Sequence, residues 1–221
     1  MLKKFFSFTI FVLIICTACH HDALQTIHPN KDQMGQLYDL GQTTALGKPD
    51  APITMVEVFS YDCRYCRQDY PLLAHFVIEH PEVRIIFKPF KAFGDSTKVL
   101  AQYAALAANK QGKFLLMHER LITTSLRLNE RNIKKIAEKL NLNMNEFEQD
   151  IKSPAIKEQI EQNTELMDQL DIDGIPALIV TKTALINDLE HADNIPQYIQ
   201  VGFLSHDVLI NLLRKTTEKN K

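Results

Sequence analysis

Tryptophan is absent from this 221-residue chain, glycine occurs only seven times, and none of its four cysteines lies beyond position 66. Low glycine and the lack of any repeat or low-complexity segment exclude a collagen-like or wholly disordered chain. Charge of one sign is also missing: 25 basic and 27 acidic side chains are intermixed, for a net charge of −2, so nothing marks a nucleic-acid surface. Apolar runs long enough to cross a membrane repeatedly are missing too, which excludes a multi-span membrane protein. What is present is ordinary globular usage, 45% hydrophobic and 24% charged, on a chain long enough to bury a core without disulfide staples. The cysteines are grouped, Cys16 with Cys19 and Cys63 with Cys66.

The first pair closes an N-terminal segment. Lys3 and Lys4 precede an apolar run of about a dozen residues and then small residues, the layout of a secretory signal over residues 1–18. A retained anchor is the alternative, but the run is shorter than the roughly 20 apolar residues of a spanning helix. Cys16-Thr17-Ala18-Cys19 resembles the bacterial lipoprotein cleavage box, with Cys16 where that box usually has Leu. Cys19 is therefore the expected lipidation site, although Ala18 also suits ordinary signal peptidase. Removing residues 1–18 leaves an odd number of cysteines, which a thioether on Cys19 would explain. The expected setting is the bacterial cell envelope, facing the periplasm on a lipid anchor.

Residues 19–48 read as a tether or leader, with one short helix at 31–40 and a Gly47-to-Pro52 punctuation. Ile53 onward (I-T-M-V-E-V-F-S) suits a buried strand, and Asp62 to Glu79 reads as a helix with Leu72, Leu73, Phe76 and Val77 inward, kinked at Pro71. A second strand is expected at Val83 to Lys88, with Lys88 solvated, or alternatively paired with Glu57. Helical spacing then runs over Thr97–Asn109, Lys113–Thr124, Asn129–Leu140 and Met144–Leu170. Strand character returns at Pro176–Thr181, at Ala184–Ile186 and at Tyr198–Phe203. Ser205 can cap a last helix, His206 to Lys215.

The second cysteine pair, Cys63-Arg64-Tyr65-Cys66, follows a predicted strand and opens a predicted helix. Unpaired N–H groups and the helix dipole favour a thiolate there, and Arg64 adds a neighbouring cation. Cys63, nearer the exposed end, should be the nucleophile, and Cys66, one turn deeper, should resolve a mixed disulfide. Zinc would want a second ligand pair. No second cysteine pair lies beyond Cys66, and His75, His80, His118, His191 and His206 are read as single residues, so no metal is expected. A structural disulfide across so short a loop would remove little unfolded-state entropy.

The stretch Glu57 to Cys66 (E-V-F-S-Y-D-C-R-Y-C) resembles the active-site segment of DsbA-like thiol–disulfide oxidoreductases. Pro71 is similar to the helix proline of thioredoxin relatives, Ala104–Leu121 to the first insertion helices of the envelope branch, and Asp173-Gly174-Ile175-Pro176-Ala177 to the cis-proline segment. The likeness covers roughly residues 49–215. It implies an α/β, thioredoxin-like domain over 49–221 with a helical subdomain inserted at about 95–170. It also implies Glu57 as a buried acid exchanging a proton with Cys66, and a cis Pro176 that presents the Ile175 backbone to substrate, with Tyr65 alongside. No cofactor beyond the redox-active disulfide is implied. The implied partners are reduced secreted proteins and a membrane thiol oxidase that re-oxidises the pair. Two departures stand: Arg-Tyr between the cysteines is neither Pro-His nor Gly-Pro, and its Tyr is similar to envelope isomerases, while Asn187 to Pro196 reads as an inserted loop. An oxidase is the leading expectation, an oligomeric isomerase or reductase the second, and a non-catalytic binding lipoprotein the third.

Overall fold

The computed structural model describes residues 24–38, 44–91, 99–187 and 196–218. The signal segment, Cys19 and the body of the Asn187–Pro196 insertion lie outside the described residues. At the centre lie two parallel strands, β3 (Ile53–Phe59) and β4 (Val83–Pro89), every residue of both buried, as their β-branched and aromatic content demands. They are joined by α2 (Arg64–Glu79), the helical crossover that a parallel pair needs. β5 (Ala177–Lys182) runs antiparallel to β3, and β6 (Gln197–Val201) antiparallel to β5. Between β4 and β5, among the described residues, stand five helices: α3 (Leu100–Lys110), α4 (Phe114–Thr123), α5 (Glu130–Lys139), α6 (Met144–Ile151) and α7 (Pro154–Gln169). The α/β class and the inserted helices are as expected. The 144–170 segment is two helices rather than one, because Ser153 caps α7 and Pro154 occupies its first turn, where a missing N–H costs nothing.

The period of two along each strand sorts the core into two layers. Met55 and Phe59 of β3, Ile85 and Phe87 of β4 and Leu178 and Val180 of β5 pack on the face that carries α2, α3 to α6, the first half of α7 and α9 (His206–Thr217). Val56, Val58, Ile86, Ala177 and Ile179 face the other side, against Leu166 and Met167 of α7. By the same alternation Glu57 lies on the α2 face.

The leader reading is corrected over residues 24–38 and 44–48. β1 (Gln25–Ile27) pairs with β6, β2 (Ala45–Leu46) pairs with β4, and the sheet order is β1-β6-β5-β3-β4-β2. Between them α1 (Lys31–Leu37) is capped reciprocally by Asn30 and Gln33, and it buries Met34, Leu37 and the following Tyr38 on the second layer. Gly47 follows at φ +102°, so close to β4 that a Cβ would meet the Val83 carbonyl at 2.8 Å. Strands of two and three residues are too short to show a period, which is why the segment reads as linker. Ala184–Ile186, expected as strand, is inside a short helix, α8 (Thr183–Asn187), whose first residue is tied back by Thr183 Oγ1 to the Ala51 carbonyl.

Candidate active site

Cys63 is the N-cap of α2, in extended backbone conformation, and its Sγ accepts the Cys66 N–H at 3.2 Å. A sulfur thus takes the place of the usual capping oxygen, and the orphan donors of the first turn converge on it. Both cysteines are free thiols; Cys63 is partly exposed and Cys66 fully buried. The Cys63 thiol is lowered to about 7, chiefly by the hydrogen bond from the Cys66 thiol and then by the Cys66 and Tyr65 N–H groups, against its partial burial and Asp69. Burial, more than its bond to Cys63, pushes the Cys66 thiol far up. The two sulfurs are therefore unequal: Cys63 is the readily ionised thiol, and Cys66 stays protonated.

Arg64, the expected neighbouring cation, lies at the solvent surface. Its side chain is exposed, and what lowers Cys63 is hydrogen bonding from Cys66 and the first-turn N–H groups, because a solvated guanidinium is screened by water. Tyr65 is 55% exposed beside the pair, free to meet another chain.

The Ile175–Pro176 bond is cis, and the Cys63 thiol points its S–H at the Ile175 carbonyl at 3.8 Å. Residues 112 positions apart meet here because β5 runs antiparallel beside β3 and its entry lies at the end where α2 begins. Pro176 is buried, and its carbonyl accepts the Gly202 N–H.

Behind the sulfurs lies Glu57, 1% exposed, with its Oε2 lacking any hydrogen-bond partner among the described residues. Burial first, then the charges of Asp69 and Cys63, hold its carboxyl well above the ordinary range, favouring its protonated form. Lys88 is not its partner. That lysine is 9% exposed rather than solvated, and Nζ donates to the Gln36 carbonyl and to Asn163 Oδ1 on the opposite layer.

The thioredoxin family's sequence profile matches residues 39–200. The chain belongs to the thioredoxin family. Among its relatives is the probable disulfide bond formation protein D of Bacillus anthracis, 25% identical over 185 residues, 78% of this chain and 84% of that protein. A Na(+)/H(+) antiporter of Salinispora tropica is 27% identical over 136 residues, 61% of this chain, which spans only about a fifth (21%) of the antiporter's length. The solved structure of a thioredoxin-like oxidoreductase from Silicibacter pomeroyi superposes with a TM-score of 0.67 at 27% identity, covering 82% of this chain and 95% of that one.

Three further residues of this thioredoxin-family site escape a motif reading. Asp69, three residues after Cys66, is 2% exposed, and its Oδ2 accepts the Leu204 N–H at 3.3 Å; burial raises its carboxyl to about 6. Helical phase could have found it, since it lies one turn before the inward Leu73. His118 on α4 is fully buried among Phe59, Phe87 and Phe114, and burial pushes it down to about 3, so it is neutral. Its Nδ1 hydrogen-bonds the Tyr61 hydroxyl at 2.9 Å, fixing the residue that leads into the cysteine turn. Arg67 points away from the sulfurs and donates to the carbonyls of Tyr61, Leu121 and Thr124, lashing the cysteine helix to the end of α4.

Proposed function

We propose that this protein is a thiol:disulfide oxidoreductase of the bacterial cell envelope, acting as an oxidase that introduces disulfides into secreted proteins. The observation that carries the reading is the unequal pair at the head of α2, with Cys63 beside the carbonyl of the cis-proline segment. In the oxidised protein a substrate thiolate attacks Cys63 Sγ, and the Cys63–Cys66 bond breaks with its electron pair on Cys66. Cys66 cannot hold that charge in its buried place, and the protonated Glu57 lies where it can supply the proton. A second substrate thiolate then attacks the substrate sulfur of the mixed disulfide and expels Cys63. The easily ionised Cys63 is the better leaving group of the two. The substrate leaves with a new disulfide and the protein with two reduced sulfurs. Attack by Cys66 on the mixed disulfide is the reverse, reducing direction. A membrane thiol oxidase restores the disulfide, and a lipid on Cys19 keeps the domain at the membrane. Pro176 and Ile175 hold the substrate backbone, and Tyr65 lies beside it.

An oxidase is favoured over an isomerase by the docking of residues 25–27, 31–37 and 45–46 on the chain's own sheet, since that segment would otherwise be the means of assembling an oligomer. Cys63→Ser should abolish disulfide transfer to a reduced dithiol peptide; undiminished transfer would sink the mechanism. Refolding of a scrambled-disulfide protein beside sedimentation separates the two activities, because a monomer without refolding activity is the oxidase outcome. Mass spectrometry of the mature N-terminus reads the lipid.

A further inference from the structure

α2 buries five positions: Cys66, Asp69, Leu73, Phe76 and Val77. Four of them suit an apolar layer, and Asp69 does not. A carboxyl 2% exposed is costly unless hydrogen-bonded, and the partner it has, the Leu204 N–H, comes from the β6–α9 connection 135 residues away. That connection also reaches the other side of the site, through the Gly202 N–H on the Pro176 carbonyl. The carboxyl is therefore held between the cysteine helix and the connection whose Gly202 N–H binds the cis proline's carbonyl. On the same side of the sheet is Glu57, with an unpartnered Oε2. Two buried carboxyls thus stand behind one thiol pair.

We propose that Asp69 is a positioning residue for the redox chemistry: its buried carboxylate, fixed by the Leu204 N–H, restrains the ionisation of Cys63 and so limits how oxidising the Cys63–Cys66 disulfide is. The inference rests on the thiol oxidoreductase reading above. A reduced pair whose thiolate is stabilised makes a stronger oxidant, so a negative charge nearby weakens it. The titratable groups around Asp69 are Glu57 from β3 and Cys63 and Cys66 from its own helix, while His206 and Asp207 at the head of α9 are exposed to solvent. Burial is the larger cause of the Glu57 shift and favours its protonated form. Asp69, raised only to about 6, is therefore the carboxyl that is charged at pH 7. Asp69 opposes the ionisation of Cys63, more weakly than the partial burial of the sulfur does.

The test compares the full protein with Asp69→Asn, which keeps shape and removes charge. Removing one nearby like charge brings a thiol down by roughly one pKa, from about 7 to about 6. At pH 7 the reduced form then gains about fivefold, which in a glutathione redox equilibrium is a rise of about 20 mV in potential. The two proteins should converge at pH 5, where Cys63 and Asp69 both hold their protons; a merely structural defect would keep them apart at every pH. Identical potentials at pH 7, or a gap that persists at pH 5, would overturn the proposal. If the wild-type pair itself does not exchange with glutathione, the oxidoreductase reading falls and this inference with it, so the two failures are told apart. Should the variant not fold, carboxyl carbon NMR of wild-type Asp69 decides. Coupling requires a second inflection as Cys63 ionises in the reduced protein, and a single one in the disulfide form. Superimposable curves in the two forms would refute it.

Discussion

Replacing Cys66 by alanine isolates what makes Cys63 acidic. Two explanations compete, hydrogen bonding at the helix end and the charge of Arg64, and the structure assigns the larger share to the bond from the Cys66 thiol. Hydrogen bonds to a charged group contribute about 1.5–3 kcal/mol. Since about 1.4 kcal/mol corresponds to one pKa, losing the bond should raise Cys63 from about 7 to roughly 8–9. The Cys66 N–H at 3.2 Å survives the substitution, so the rise stops short of what burial alone would impose. At pH 7 the ionised fraction should fall from about half to about a tenth or less. The assay is thiolate ultraviolet absorbance against pH on Cys66→Ala, which reports ionisation alone. Alkylation rates would understate the change, because the nucleophilicity of a thiolate grows as its pKa rises. Arg64→Ala in the wild-type background should leave the titration where it was, because that side chain is exposed. A Cys66→Ala protein still titrating near 7, beside an Arg64→Ala protein shifted upward, would refute the hydrogen-bond account.

The remaining expectations concern stability. Glu57, with its carboxyl raised by burial, binds more protons folded than unfolded, so wild-type stability should fall as pH rises above about 4.5. Glu57→Leu should flatten that limb and stabilise the protein by about 1–3 kcal/mol at pH 7 in urea denaturation, the cost of a buried polar group without a partner. A variant less stable than wild type at neutral pH would show that Glu57 is satisfied after all. Tyr61→Phe strips His118 Nδ1 of its partner in an apolar cage and should cost about 1–3 kcal/mol; a neutral result would mean the bond contributes nothing. Leu37→Ala, in the segment that reads as a leader, should cost about 2–5 kcal/mol, because the side chain is fully buried. A loss below about 0.5 kcal/mol, the range of surface substitutions, would return α1 to the status of a tether.

Most of the catalytic geometry could be read from the chain because its signals are local or motif-borne. The Cys63–Cys66 spacing, the strand before it, the helix after it and the Gly174-Ile175-Pro176 segment each carry their own mark, and the structure brings them together. The misreadings have a common physical origin. Lys88 reads as solvated because the period rule sends a lysine outward unless a partner is in sight. Its partners are the Gln36 carbonyl at the end of α1 and Asn163 of α7, 52 and 75 positions away. Asp69 breaks the inward face of α2 for the same reason, its partner being 135 positions distant. A helix that reads as leader cannot be counted as supplying a carbonyl, so overlooking α1 and misplacing Lys88 are one error rather than two. Hydrophobic periodicity tells which face is inward, but whether a charged residue on that face is tolerated depends on a backbone group delivered by a remote element. At this site those groups anchor Asp69 and Lys88 on opposite faces of the central strands, and both side chains stay buried because each has its own distant backbone partner.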